Sequence, residues 1–153
     1  MAVEGTPKYS GKMNGLDANY IAYDTTAVGM DVLLAYYFCD DGLYSVRYIL
    51  NEDHSVDSLY IDDYNTFKQA LTNKYGEPLL DNEKWTSDSK KSFYADDKGR
   101  ALNYGYLSYY TCYITERVIV EMDMSADNYE VSTLINYTSL TVSPGETDFS
   151  EDI

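Results

Sequence analysis

The chain has 153 residues, with 26 Asp or Glu against 11 Lys or Arg, and a formal charge of −15 at pH 7. That balance works against non-specific binding to nucleic-acid backbones or anionic membranes, both of which select for Lys and Arg. Hydrophobic residues make up 44% and there are only 3 Pro, so the chain is not wholly disordered. At this length it defaults to one domain.

The N-terminal residues 1–17 are polar and carry Gly5, Pro7, Gly11 and Gly15. They read as loop, or as the remnant of a helix ending at Glu4-Gly5. The basic and apolar regions of a signal peptide are missing here. The chain is therefore expected either to stay inside the cell or to be the mature or truncated form of something longer. A strand is predicted at about 20–25, followed by a hairpin whose arms are 28–39 and 43–50. Asp40-Asp41-Gly42 supplies the turn, because Asp-Gly tolerates the positive φ that tight hairpins require. Met30, Val32, Leu34, Tyr36 and Phe38 share one face of the first arm, and Tyr44, Val46, Tyr48 and Leu50 one face of the second. The apolar run 32–39 is the longest in the chain and far short of the roughly 20 residues a spanning helix needs.

After a polar loop at 51–57 the period changes. Tyr60, Tyr64, Phe67, Leu71 and Tyr75 form one stripe of an α-helix over about 58–75. Asp57 or Ser58 can cap its start, Gly76 suits the position after its end, and Pro78 prevents continuation. A short strand at 84–86 with Trp85 turned inward, a polar loop at 87–91 and a turn at 96–99 come next. Strands are then predicted at about 101–114, 117–124 and 130–140, with joints short enough for an antiparallel meander.

The expected fold is α+β: an antiparallel β-sheet of about six or seven strands, with one principal α-helix (about 58–75) packed on one face. The expected organisation is a flexible or truncated segment at 1–17, a single domain at 18–141, and a disordered acidic tail at 142–153.

Little catalytic chemistry is legible. Cys39 and Cys112 lie far apart in sequence, outside any C-x-x-C pair. They read foremost as buried thiols, although both fall in predicted strands and a single disulfide between them is geometrically possible. His54 sits in an acidic polar loop and reads as solvated. Asp40-Asp41, Asp62-Asp63 and Asp96-Asp97 read as turns and a helix start rather than as paired acids facing across a cleft. No phosphate-loop, dinucleotide or nucleophile-elbow motif occurs, and the EF-hand pattern is not found. Catalytic residues, metal ligands and cofactors are accordingly assigned to none. The sequon Asn136-Tyr137-Thr138 falls in a predicted strand and carries no weight.

The unusual feature is aromatic. There are 18 Tyr against 4 Phe and 1 Trp. Five of the Tyr fall in ten residues, Tyr104, Tyr106, Tyr109, Tyr110 and Tyr113. Strand alternation assigns Tyr104, Tyr106 and Tyr110 to one face, and Tyr109 and Tyr113 to the other. One set should meet the helix and the other should face water. The exposed set is a candidate protein-binding patch. Cross-strand Tyr pairs that simply stabilise the sheet are the competing reading.

The stretch Leu34-Ala35-Tyr36-Tyr37-Phe38-Cys39-Asp40-Asp41-Gly42-Leu43-Tyr44, the Tyr64-to-Leu71 helix and the ending Lys74-Tyr75-Gly76-Glu77-Pro78 resemble a broad group of bacterial envelope domains. That group is similar in fold to the small outer-membrane assembly lipoproteins of the SmpA/OmlA type and to β-lactamase inhibitory protein. The resemblance implies partner-binding modules and inhibitors, with no catalytic residues to carry over and no lipobox cysteine here. The expected function is a non-catalytic protein-binding module, bacterial and either enveloped or secreted. The expected partner is a protein, not nucleic acid, and no membrane span is expected. The alternative is an acidic inhibitor or nucleic-acid mimic that occupies a basic groove of its partner.

Overall fold

Strand-forming runs joined by tight turns fold back on themselves, and two such meanders build the sheet of this protein. The structure is a computed structural model that describes residues 7–12 and 18–142. The first meander is β1 (Tyr9–Lys12), β2 (Ala18–Ala27), β3 (Met30–Cys39) and β4 (Gly42–Leu50). Helix α1 (Ser58–Tyr75) follows, then β5 (Leu80–Trp85), two short helices, α2 (Asp88–Phe93) and α3 (Lys98–Asn103), and the second meander. That meander is β6 (Leu107–Ile114), β7 (Val118–Asp127) and β8 (Glu130–Ser139). The meanders join where β4 pairs with β8, giving one antiparallel sheet in the order β1-β2-β3-β4-β8-β7-β6-β5.

The fold is thus α+β with one antiparallel sheet, but with eight strands rather than six or seven, and with three helices of which α1 is the major one. The uncounted strand is β1. All four of its residues are exposed, so no buried face imposes an alternating pattern on its sequence. Residues 98–103 form α3, where a turn at 96–99 and a strand opening at about 101 were expected, and 88–93 form α2, where a loop was expected at 87–91. Both helices are too short to show a period, and their starts are written in caps instead. The Ser87 hydroxyl accepts the Lys90 N–H at 3.2 Å and the Asp97 carboxylate accepts the Arg100 N–H at 3.3 Å. The tail beyond residue 142 and residues 1–6 and 13–17 lie outside the described residues.

Helix α1 follows its sequence stripe. Tyr64, Phe67 and Leu71 are buried, and Gly76 takes φ 83° just past its end, with its N–H donating to the Thr72 carbonyl at 2.9 Å. Asp57 does not cap the helix with its side chain; its carboxylate accepts from the Asn103 amide instead, tying α1 to α3. Beneath α1 lie Met122, Met124 and Val120 of β7, Ile135 of β8 and Tyr113 of β6. Tyr64 also reaches the sheet through its hydroxyl, which donates to the Met122 carbonyl at 3.0 Å and lies 2.7 Å from the Thr111 hydroxyl oxygen. Thr111 in turn donates to Asp81, which pairs with Lys68 of α1. Burial pushes the Tyr64 phenol well above its ordinary range, so it remains a donor at any physiological pH.

The opposite face of the sheet carries a polar centre. Asn136 accepts from the Ser45 hydroxyl and from Arg47, and its own amide donates to Thr138. The sequon asparagine is therefore engaged in the middle of the sheet. Cys39 and Cys112 are free thiols on β3 and β6. Four strand spacings of about 4.8 Å put them at least roughly 19 Å apart, against the roughly 7 Å a disulfide can span.

Asp123 is half-buried on this polar face. Burial first and Glu121 second raise its carboxyl above the usual range, with Arg47 opposing them. A carboxyl whose folded pKa exceeds its unfolded one costs stability at pH values above both, and nothing at pH values below both. Asp123→Asn is therefore expected to raise the melting temperature at neutral pH. The gain should shrink to zero as the pH falls through the carboxylate range, which a melting series from neutral pH to about pH 3 reads directly.

Candidate functional site

The five tyrosines singled out from the sequence do not form one ladder. Strand β6 begins at Leu107, because α3 and the turn after it take residues 101–106 out of the expected strand. Tyr109 and Tyr113 face α1, as one set was expected to do. Tyr113 is buried, and its hydroxyl donates to the Lys68 carbonyl at 3.1 Å and pairs with Thr72. Tyr109 packs its ring 5.4 Å from that of Tyr64, and its hydroxyl is buried with no hydrogen-bond partner among the described residues. Burial raises both phenols above their ordinary range. Tyr110 lies on the opposite sheet face and donates to Glu121 at 2.7 Å. Only Tyr104 and Tyr106 are brought together.

The place where they meet is built by chain reversal. The Tyr104 N–H closes α3, Gly105 takes φ 80°, and the Tyr106 N–H returns to the Ala101 carbonyl at 2.9 Å. The left-handed φ at Gly105 is one that glycine adopts without the strain a side chain would bring, and it reverses the chain between the two rings. The Tyr104 and Tyr106 rings lie 6.0 Å apart at 86°. Two tyrosines missed at the sequence level complete the cluster. Tyr94, at the end of α2, lies 6.2 Å from Tyr104 and 5.6 Å from Tyr106. Tyr129, on the turn between β7 and β8, lies 5.9 Å from Tyr104 at 83°. Phe93 extends the patch, with its ring 4.8 Å from that of Tyr94.

Three of these rings, Tyr104, Tyr106 and Tyr129, line a cleft of about 570 Å³ together with Asn103, Ala126 and Asn128. No lining residue is charged. The acids Asp127 and Glu130 flank the Asn128-Tyr129 turn in sequence, and the Lys90 ammonium lies 4.1 Å over the Tyr106 ring. Asn103 braces the floor, since its amide donates to Asp57 at 3.1 Å and to the Tyr129 carbonyl at 3.4 Å.

Tyr129 holds its place at a cost. Asn128 and Tyr129 have φ of 51° and 65°, the pair of left-handed residues that a two-residue hairpin turn demands. Asn accepts that conformation readily, whereas a side chain such as Tyr costs roughly 1 kcal/mol. The ring gains little burial in return, being 67% exposed. The sequence signal was the Asp127-Asn128 pair, which marks a turn and so places Tyr129 at its tip.

His54 is not solvated as expected. Its ring is bonded to the Asp63 carboxylate of α1 and packs 4.9 Å from the ring of Tyr60, whose hydroxyl accepts the His54 N–H at 3.0 Å. This clasp fixes the loop before α1. Among the described residues no three His, Cys, Asp or Glu side chains converge as a metal set, and no helix is long and apolar enough to cross a membrane.

Comparison of the chain with protein-family models, curated proteins and solved structures finds no match.

Proposed function

We propose that this chain is a non-catalytic protein-binding module whose contact surface is the cluster of Tyr94, Tyr104, Tyr106 and Tyr129. Its partner presents a basic segment, complementary to a chain of charge −15. The observation that carries the reading is Tyr129. A large aromatic is held in a backbone conformation that glycine would occupy without strain, and most of its ring is left in water. Folding gains little from such a choice, whereas an interface gains more, because tyrosine anchors supply much contact area at little entropic cost. The resemblance to envelope domains that bind partners or act as inhibitors agrees with this role. It also motivates placing the module in a bacterial envelope or secreted setting.

The test is Tyr129→Gly. Relief of backbone strain offsets the lost ring contacts, so the melting temperature is expected to stay level or rise by about 1–3 °C. Capture of a partner from native extract is expected to be lost, and the captured protein, once purified, should bind the wild-type chain alone by calorimetric titration. Undiminished binding by the Gly variant would refute the surface. If that binding also collapsed between low and moderate salt, the acidic mimic would take its place.

A further inference from the structure

Resting on that reading, we propose that the corner between the Tyr104 and Tyr129 rings receives an arginine side chain of the partner, while Lys90 occupies the adjacent Tyr106 ring face as an internal competitor. The first support is Lys90 itself. Its ammonium lies 4.1 Å from the Tyr106 centroid, closer than the 5.3–5.4 Å of the other cation–ring pairs, Lys8 on Tyr9, Arg47 on Tyr37 and Lys74 on Tyr75. This cluster is thus already a cation acceptor toward a residue of its own chain. The second is geometry. Tyr104 meets Tyr106 at 86° and Tyr129 at 83°, so neighbouring rings of the cluster stand at right angles, the edge of one against the face of the next, and three of these rings line the cleft. Ring faces carry the negative end of the quadrupole.

The third support is the polar lining. The Asn103 amide nitrogen is engaged by Asp57 and the Tyr129 carbonyl, which leaves its oxygen as an acceptor, and Asn128 lines the same cleft. A planar guanidinium can stack on one ring and donate in its plane to such acceptors, which an ammonium does less well. With uncharged walls and Asp127 and Glu130 beside the turn, the cleft suits a cation over an anion. The volume of about 570 Å³ exceeds what one side chain needs and leaves room for the partner backbone on either side.

The probes are N-acetyl-arginine amide and its uncharged counterpart N-acetyl-citrulline amide, titrated into the full chain by proton NMR. Arginine is expected to bind at least about fivefold more tightly than citrulline, with upfield ring-current shifts on the methylenes next to the guanidinium. Tyr104→Ala and Tyr129→Ala should each abolish the shifts. Lys90→Met, which frees the Tyr106 face, should tighten arginine binding about threefold. Equal binding of arginine and citrulline, or no gain from Lys90→Met, would overturn the proposal. So would a hexaproline peptide that binds at Tyr104 where arginine does not. If these titrations fail while Tyr129-dependent capture of a partner persists, the arginine pocket is wrong and the binding module stands. If capture is also independent of Tyr129, both fall.

Discussion

Gly99→Ala is expected to destabilise the protein by about 3 kcal/mol, a drop of roughly 6–12 °C in melting temperature. Gly99 is buried where α3 crosses the start of α1. A Cβ there would lie 2.7 Å from the Ser58 nitrogen, 3.0 Å from the Asp57 carbonyl carbon and 3.1 Å from the Ser58 Cα. All three atoms are backbone, so no side-chain rotation relieves the clash, and one helix has to move. Movement of α3 would unseat Ala101 and Leu102, both fully buried, and would carry Asn103 and Tyr104 with it. The same substitution should therefore weaken partner binding, although Gly99 lines no part of the cleft. A loss below about 1 kcal/mol in chemical denaturation would show that the approach of α3 to α1 is looser than described.

Tyr113→Ala is expected to cost about 3–5 kcal/mol, whereas Tyr104→Ala should change stability by less than about 1 kcal/mol. The two residues belong to the same tyrosine-rich stretch, yet their surroundings are opposite. The Tyr113 ring is 1% exposed, packs against Tyr75, and reaches α1 through both the Lys68 carbonyl and the Thr72 hydroxyl. Its removal leaves a cavity under the helix and an unpartnered polar group. Tyr113→Phe, which keeps the packing and loses the hydroxyl, should cost about 1 kcal/mol, separating the two contributions. The Tyr104 ring is 46% exposed and lies beside the rings of Tyr94, Tyr106 and Tyr129. Urea denaturation of the three variants reads all of this. Similar losses at positions 104 and 113 would contradict the division of this stretch between core and surface.

Elements with a strong period were legible in the sequence. The stripe from Tyr60 to Tyr75 fixed α1 at 58–75, because an amphipathic helix on a sheet must repeat its apolar residues every three or four positions. The β3–β4 hairpin was equally plain from Asp41-Gly42 and its alternating arms. Elements with no buried face, or too short to show a period, were hidden. β1 shows no pattern because nothing covers it, and α2 and α3 are one and a half turns each, too brief for a period to emerge. Reading 101–106 as strand then misplaced Tyr104 and Tyr106, since alternation applies only while the chain remains extended. Tyr94 and Tyr129 were invisible as partners for a different reason. They come from α2 and from the β7–β8 turn, and only the tertiary arrangement brings them within about 6 Å of Tyr104.

The central claim is that the tyrosine cluster around the exposed Tyr104 and Tyr129 is the surface by which this chain holds a protein partner. The most direct measurement is a calorimetric titration of the captured and purified partner into the wild-type chain, Tyr129→Gly and Tyr104→Ala, after a cooperative melting transition in each has established that all three are folded. Saturable binding by the wild type, weakened at least about tenfold in each variant, is the predicted result. Binding of equal strength by all three folded chains would contradict it and move the contact surface elsewhere on the molecule.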